Sequence, residues 1–273
     1  MELNRRIGSR KTRGYVMCRS VEYYLLHAKM LQFQNKVAKA KEVIKKATEK
    51  GGEWIISFSG GKDSSVMLDL IYSCGYKFPL QFFYYSPYET PEATVEIAKK
   101  FSVKYDMPLN IVKVYSCAEA WEEAGRFFCI PQNEKEKLLV RKTSTDFRKK
   151  SAAIIKNKNA CGVFVGMRKD ESKIRRMAIS MHGKLYFAKD RHAWCCTPIA
   201  DFSADDIWAY IFKYNLPYLS VYDNPMYDRE RIRNELTYMC CGKGMYNGIL
   251  ESYWVLYPEI MRELQARWGD VRP

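Results

Sequence analysis

The chain has 273 residues, 47% of them hydrophobic, and its 45 lysines and arginines against 31 acidic residues give a net charge of +14. This length and apolar content suffice for one sizeable core, which argues against a disordered or fibrous chain, and the positive charge favours anionic partners such as nucleotides or nucleic acid. With no apolar run of membrane-spanning length and no signal-peptide pattern, we expect a cytoplasmic protein with no membrane partner and with reduced cysteines.

The first fifty residues predict a basic helical extension. Lysines and arginines are dense in residues 1–19, and apolar positions recur every three or four residues across 21–47. This spacing predicts one long amphipathic helix that ends at Gly51 and Gly52. Its lysines indicate either a solvated face or a contact for a polynucleotide.

Strand-like and helix-like segments then alternate, which predicts a mostly parallel, doubly wound sheet in an α/β fold. Strands are expected at residues 54–58, 80–85, 109–115 and 162–165. Helices are expected at 66–72, 91–105, 118–125 and 141–157. Residues 177–194 predict a loop or hairpin, and 204–213 predict a helix capped by Ser203 with Asp206 as its acidic partner. We therefore divide the chain into the extension 1–50, an α/β domain 51–217 and a small helical carboxyl-terminal segment 218–273.

The loop after the first predicted strand has the composition of a phosphate site. Its six residues are Ser59, Gly60, Gly61, Lys62, Asp63 and Ser64. Two glycines let the backbone come close to an anion, and the first amides of the following helix point towards it. Lys62 adds a positive charge, the serines add hydroxyl donors, and Asp63 or Ser64 is expected to cap the helix. The spacing differs from that of the common P-loop, because Ile56 stands where its first glycine would be.

A second polar block, residues 166–172, follows the fourth predicted strand. Guanidinium groups bind phosphate through a planar, bidentate fork, so Arg168 is the main candidate, with Arg175 or Arg176 as a further contact. Asp170 and Glu171 either orient these arginines or bind Mg²⁺ if the substrate is ATP. Both blocks follow the carboxyl ends of parallel strands, where open α/β sheets bind their ligands.

These motifs resemble those of a known family. The segment SGGKDS at 59–64 resembles the pyrophosphate loop of the adenine nucleotide alpha hydrolase superfamily. The block at 166–176 is similar to the G-x-R-x-x-E/Q-S-x-x-R block of phosphoadenosine phosphosulfate (PAPS) reductases within that superfamily. A third stretch, 198–222, resembles the same family's P-I, D-V-W-x-Y and N-x-L-P segments.

The resemblance implies a nucleotide-binding α/β domain with ATP or PAPS as the bound nucleotide. It implies a nucleotide-binding set of Ser57, Ser59, Gly60, Gly61, Lys62, Asp63, Ser64, Gly166, Arg168, Glu171, Ser172 and Arg176. It places adenine against the first two strands, beside Ser57, Phe58, Tyr84 and Tyr85. Lys62, Arg168 and Cys241 are the implied catalytic residues.

Two tandem cysteine pairs bear on the reaction type. Cys195 and Cys196 with Cys240 and Cys241 number four, which suits an iron–sulfur cluster or a structural zinc ion; the alternative is two pairs of buried or half-buried thiols. A reductase of this family also needs a nucleophilic thiolate, carried by an E-C-G-L-H motif that this sequence lacks. Cys241 is the nearest match, and Lys243 nearby favours its thiolate.

Three functions are open at this point. The leading hypothesis is a PAPS reductase-family enzyme that either reduces a sulfonucleotide with a thioredoxin-like reductant, or transfers sulfur from a cysteine desulfurase with cleavage of ATP. The second is an ATP pyrophosphatase that adenylates a nucleic acid for sulfur insertion and holds the polymer with its basic N-terminus. The third is a non-catalytic protein that binds a nucleotide or nucleic acid.

Overall fold

The computed structural model describes residues 19–229, 232, 249–269 and 271. Its first elements are two helices, α1 (Val21–His27) and α2 (Leu31–Thr48), where the sequence predicted one. Met30 is extended and begins a new helix. The break lets α1 pack apart from α2, with Tyr24 stacked on Phe212 at 5.5 Å between ring centroids.

Six strands form a single sheet. They are β1 (Glu53–Ser57), β2 (Leu80–Tyr84), β3 (Leu109–Lys113), β4 (Ala160–Val165), β5 (Leu185–Ala188) and β6 (Ala193–Cys196). The order across the sheet is β3-β2-β1-β4-β6-β5, and every pairing is parallel except that of β5 with β6. The mostly parallel α/β fold is therefore confirmed.

The remaining helices connect and flank these strands. They are α3 (Lys62–Ser73), α4 (Glu92–Tyr105), α5 (Cys117–Ala124), α6 (Glu134–Asn157), α7 (Lys173–His182), α8 (Ala204–Lys213), a 3-10 helix (Ser220–Asp223), α9 (Ile249–Leu256) and α10 (Pro258–Trp268). The capping box of Ser203 and Asp206 on α8 is present as predicted. No helix within the described ranges is both long and apolar enough to cross a membrane.

Two helices differ from the sequence prediction. The helix α6 begins seven residues earlier than expected, at Glu134, because the Asn133 side chain accepts a hydrogen bond from the amide of Glu136 at 2.9 Å. The segment 177–194 contains the end of α7 followed by the β5–β6 hairpin. His192 makes the hairpin turn with a left-handed φ of 50°.

Adjacent side chains of β1 pack into different hydrophobic cores, which shows that helices cover both faces of the sheet. Ile56 is buried in the large core with side chains of α2, α3 and α8. Ile55 packs with Ile155 of α6 on the opposite face. This alternation is the period of a strand, and it gives the doubly wound arrangement that the sequence predicted.

The direction in which successive strands are added to the sheet changes at β1. The chain proceeds from β1 outwards to β2 and β3, then returns to place β4 on the other side of β1. Loops that leave the carboxyl ends of β1 and β4 diverge at such a switch point, and open α/β sheets bind ligands in the crevice between them. The two predicted polar blocks are these two loops.

Candidate functional site

The first loop turns sharply at glycine. Gly60 has a φ of +73°, and a Cβ atom there would lie 2.9 Å from both Cγ2 and the carbonyl oxygen of Thr94. Gly61 is the N-cap residue of α3, and within the described residues no side chain forms a capping hydrogen bond at the start of this helix. The prediction that Asp63 or Ser64 caps the helix is therefore wrong. The backbone of the loop itself brings the first amides of α3 to the crevice.

Serine hydroxyls hold this loop in shape. Ser64 donates to the carbonyl oxygen of Gly61 at 2.9 Å, and Ser65 donates to the same oxygen at 3.1 Å. The hydroxyls of Ser59 and Ser64 lie 3.2 Å apart, and Ser59 accepts from the amide of Gly61 at 3.3 Å. The loop is therefore preorganised before any ligand binds.

A buried ion pair joins the first loop to the second. Arg168 donates from Nε to Oδ1 of Asp63 at 2.6 Å, and its side chain is only 1% exposed. Nη1 of Arg168 lies 3.5 Å from Oδ2 of Asp170, whose other contact is the amide of Ala204 at 3.2 Å. A guanidinium removed from water needs such partners, because an unpaired buried charge is strongly unfavourable.

Asp63 also contacts the lysine beside it. Nζ of Lys62 is 3.2 Å from Oδ2 of Asp63, and it lies 5.6 Å from the centroid of the Tyr222 ring. Burial by itself would raise the pKa of Asp63, but the nearby charges of Lys62 and Arg168 outweigh it and hold the pKa below its ordinary value. Asp63 is therefore a carboxylate at neutral pH, and two cations flank it.

Glu171 organises the second loop. One carboxylate oxygen accepts from the amide of Arg168 at 2.7 Å, and the other binds the guanidinium of Arg175. Ser172 caps α7 by accepting from the amide of Arg175 at 3.2 Å. Arg176 is exposed and donates to the carbonyl oxygen of Lys169 at 3.4 Å. Ser172 and Arg176, both predicted to bind nucleotide, thus have a capping and a peripheral role in this structure.

The two loops approach backbone to backbone at Gly166. A Cβ atom on Gly166 would lie 3.1 Å from Cα of Ser64 and 3.2 Å from its amide nitrogen. Any larger residue would therefore push the loops apart. This contact sets the width of the crevice.

A cavity of about 260 Å³ lies between the loops. Its wall contains eight of the predicted nucleotide-binding residues, namely Ser57, Ser59, Gly61, Lys62, Asp63, Ser64, Gly166 and Glu171. Five further residues complete it: Val165, Met167, Arg175, Tyr222 and Ile232. Gly60 and Arg168 do not line it; they support its wall from behind. Arg175, which the sequence offered as a secondary contact, is the guanidinium that faces the cavity.

The predicted adenine contacts are brought together only in part. Ser57 lines the cavity, whereas Tyr84 and Tyr85 are absent from its wall. Phe58 is a buried core residue that packs edge-on against Phe101 at 5.4 Å between centroids. Tyr222, at the end of the third motif, lines the cavity although the sequence did not indicate it as a site residue.

The first cysteine pair does not converge on one point. Cys196 belongs to the large core and Cys195 to a separate cluster with Val163 and Ala188, because adjacent residues of β6 face opposite sides of the sheet. Burial raises the pKa of both thiols. The pair cannot bind one metal ion together without rearrangement of the strand, so its predicted role as half of a cluster does not fit.

The second pair, Cys240 and Cys241, lies outside the described residues, as does the whole segment 1–18. Within the described ranges, no three histidine, cysteine, aspartate or glutamate side chains are placed to hold a metal ion. Asp63 and Glu171 have the carboxylate chemistry that Mg²⁺ prefers, but each is already paired with cationic side chains.

The chain is similar to known proteins at the level of a domain family and of the fold. The model of the phosphoadenosine phosphosulfate reductase domain matches residues 53–232. No curated protein matches the sequence. The fold is similar to that of a phosphoadenylyl-sulfate (PAPS) reductase from Candida auris in a phosphate complex, with 16% identity and a TM-score of 0.50 over 77% of this chain and 94% of that one.

Two further solved structures are similar at the same level. An FMN adenylyltransferase from Candida glabrata has 18% identity and a TM-score of 0.51 over 74% of this chain, which spans 64% of that protein. A tRNA thiolase from Methanococcus maripaludis, solved with its 4Fe–4S cluster, has 14% identity and a TM-score of 0.48 over 88% of this chain and 82% of that one. At these identities the likeness concerns the fold alone.

Proposed function

Because this chain belongs to the phosphoadenosine phosphosulfate reductase domain family, as its match over residues 53–232 shows, we propose that it is an enzyme that binds an adenine nucleotide between the 59–64 and 166–172 loops. The observation that carries the proposal is the bond between Arg168 and Asp63. It joins the two loops around a polar cavity at the switch point of the sheet.

The charges of the site suit the phosphate or sulfate end of the nucleotide. Lys62 and Arg175 both line the cavity, and the first turn of α3 presents its amides there. Asp63 and Glu171 keep these cations in place in the absence of ligand. An incoming anion would compete for Lys62 and Arg175, while Arg168 stays bound to Asp63 beneath the wall.

The cavity volume sets a limit on how much of the ligand it encloses. About 260 Å³ is slightly below the range of roughly 300–1,000 Å³ that is usual for small-molecule sites. We therefore infer that the phosphate groups and part of the nucleoside are enclosed, and that the remainder lies towards Val165 and Met167 at the apolar side of the wall.

The proposed chemistry is reduction of a sulfonucleotide or sulfur transfer coupled to cleavage of ATP. In either case the leaving group develops negative charge, which positioned cations and amides stabilise in a partly dry site. Both reactions also need a reactive thiolate. Cys117, Cys129, Cys195 and Cys196 are buried, and burial raises the pKa of Cys129 to about 12, so these thiols are unsuited to the role. Cys241, with Cys240 beside it, is the candidate that the sequence predicts.

A second candidate function is adenylation of a nucleic acid by ATP before sulfur insertion. It is favoured by the missing E-C-G-L-H motif, which a thioredoxin-linked reductase needs at its nucleophile. In this reaction Lys62 would stabilise the departing pyrophosphate, and Mg²⁺, when bound with ATP, would supply further charge neutralisation.

Two assays on the purified chain distinguish these reactions. Release of sulfite from PAPS in the presence of thioredoxin supports reduction; exchange of labelled pyrophosphate into ATP in the presence of a nucleic acid acceptor supports adenylation. Either activity should disappear in the Lys62→Met variant. It should persist in the control variant Lys77→Met, because Lys77 pairs with Asp106 on the protein surface. Nucleotide binding without turnover in both assays, unchanged by Cys240→Ser with Cys241→Ser, would contradict the enzyme assignment and leave a binding protein.

A further inference from the structure

The outward face of α6 carries a long row of cations. Its buried side chains, Glu136, Leu139, Thr143 and Ile155, fix which face points inwards. Around these side chains, the rest of the helix surface presents seven exposed cations. They are Lys135, Lys137, Arg141, Lys142, Arg148, Lys149 and Lys156.

Few of these charges are neutralised within the protein. Lys137 pairs with Glu134 and Lys142 with Glu123. The other five, Lys135, Arg141, Arg148, Lys149 and Lys156, have no ion pair with any carboxylate of the described residues. Solvated helices usually intersperse both signs, since like charges close together on one face are destabilising. The net excess along this face therefore costs free energy unless an anionic partner offsets it.

The spacing of the row suits a polymer of phosphates. Lys135, Lys142, Lys149 and Lys156 recur every seven residues, which places them about 10.5 Å apart along the helix axis and spreads the row over ~32 Å. The row is therefore about as long as one turn of duplex DNA, because ~32 Å covers roughly nine steps of 3.4 Å along the duplex axis. Its lysines can contact the phosphates on the side of the nucleic acid that faces α6.

Other anionic partners fit the face less well. A helix that lies in a membrane interface exposes an apolar side, whereas Leu138, at 60% exposure, is the one large apolar side chain on the outward face of α6. Protein interfaces have an apolar and aromatic centre, and this face has no aromatic side chain. Its chemistry is that of phosphate-backbone binding without base recognition.

We propose that the outward face of α6 is a binding surface for the phosphate backbone of a nucleic acid. This surface is separate from the basic N-terminus, where the sequence placed a polynucleotide contact. It is also separate from the cavity between the two loops, so the proposal does not depend on which nucleotide that cavity binds.

Anisotropy titrations over a range of salt concentrations test the proposal. The probes are a fluorescent duplex of about 20 base pairs, roughly twice the ~32 Å row at 3.4 Å per step, and a single strand of the same length. One triple variant, Arg141→Gln, Lys149→Gln and Lys156→Gln, removes three cations from α6. A matched variant, Lys99→Gln, Lys100→Gln and Lys104→Gln, removes three exposed cations from α4.

The α6 variant should weaken duplex binding about tenfold or more and reduce the slope of log K against log salt by about 2 to 3 units, close to 0.9 for each lost phosphate contact. A single strand should lose about 2 units. The α4 variant should change both quantities much less. Both variants should bind ATP, PAPS or adenylyl sulfate as the parent does, which separates this test from that of the cavity.

Three results would overturn the proposal. The first is an equal loss of duplex affinity in the two variants, which would show that only the net charge of the protein matters. The second is binding of the parent to vesicles rich in anionic lipid together with no binding to either nucleic acid. The third is no measurable binding of the parent to duplex or single strand at low salt.

Discussion

Arg168 donates from Nε to Oδ1 of Asp63 across 2.6 Å, and through this bond the loop after β4 is tied to the loop after β1. The two residues are 105 positions apart in the chain. Their pairing holds together two loops that form most of the cavity wall. The site therefore depends on the sheet for its position and on this ion pair for its shape.

Replacement of Asp63 by asparagine should destabilise the protein. The substitution keeps the shape of the side chain but removes the negative charge that lies nearest to the buried Arg168 guanidinium among the described contacts. Removal of one partner from a buried pair costs about 3–5 kcal/mol, and the partial exposure of Asp63 places the expected loss near the lower end, at about 2–4 kcal/mol. Urea denaturation of parent and variant measures it.

Asp170→Asn is the matched control for that experiment. Asp170 contacts the same guanidinium at 3.5 Å, but its side chain is 50% exposed. Solvent screens such a pair, so the expected loss is below about 1 kcal/mol. Equal losses of unfolding free energy in Asp63→Asn and Asp170→Asn would show that the bond between Asp63 and Arg168 contributes no more to stability than the exposed contact with Asp170.

The contribution of Asp63 should depend on pH in a defined direction. Its pKa in the folded protein lies below the ordinary value of 3.8, so the carboxylate stabilises the fold at every pH above that value. The stabilisation is lost as pH falls through the folded-state pKa. The difference in unfolding free energy between parent and Asp63→Asn should thus be constant from neutral pH down to about 4 and shrink below it. A difference that already falls between about pH 6 and 5 would contradict this assignment.

Gly166→Ala should impair binding more than stability. The new methyl group would press on the backbone of Ser64 at 3.1 Å and widen the crevice. We expect the nucleotide Kd to rise about tenfold, equivalent to ~1.4 kcal/mol. Isothermal titration with the preferred nucleotide measures this change.

Gly162→Ala, on the same strand, provides the contrast. A Cβ atom there would lie 2.5 Å from the ring of Trp54, which is in the core and away from the cavity. It should reduce stability by about 1–3 kcal/mol through overpacking and leave the affinity of the folded protein unchanged. If Gly162→Ala weakened binding as much as Gly166→Ala, close approach of the two loops would not be the cause.

Tyr222 should act as a positioning residue for Lys62. Its ring centroid lies 5.6 Å from Nζ of Lys62, and it packs edge-on against Trp208 at 5.4 Å. Tyr222→Phe retains the aromatic face and should retain affinity. Tyr222→Leu removes it and should weaken nucleotide binding about fivefold, near the ~1 kcal/mol of a partly desolvated cation–π contact. The same affinity in both variants would show that the ring does not orient the lysine.

Local patterns in the sequence predicted the fold well. The strand β1, the loop 59–64 and the capped helix α8 are all encoded by residues that are close together in the chain, and each is present. The break between α1 and α2 was missed because helical periodicity continues through it. What separates the helices is the packing of Tyr24 on Phe212, a contact between residues far apart in sequence.

The sequence predicted which residues form the site better than it predicted what each residue does. The sequence placed Arg168 on the phosphate because a guanidinium binds phosphate through a planar, bidentate fork. It could not show that Asp63 would pair with the guanidinium of Arg168, or that Arg175 would be the arginine that lines the cavity. Likewise the tandem Cys195 and Cys196 suggested paired ligands, whereas a strand sends adjacent side chains to opposite faces.

Calorimetric titration of ATP, PAPS and adenylyl sulfate into the parent and into Lys62→Met tests the central claim most directly. Methionine retains the buried packing of Lys62 and leaves Asp63 bound to Arg168, so the variant should remain folded. We predict that the parent binds at least one of the three nucleotides and that Lys62→Met weakens this binding about 10- to 100-fold, the usual range for loss of a charge-assisted hydrogen bond. A parent that binds none of them, or a folded Lys62→Met that binds as tightly as the parent, would contradict the account.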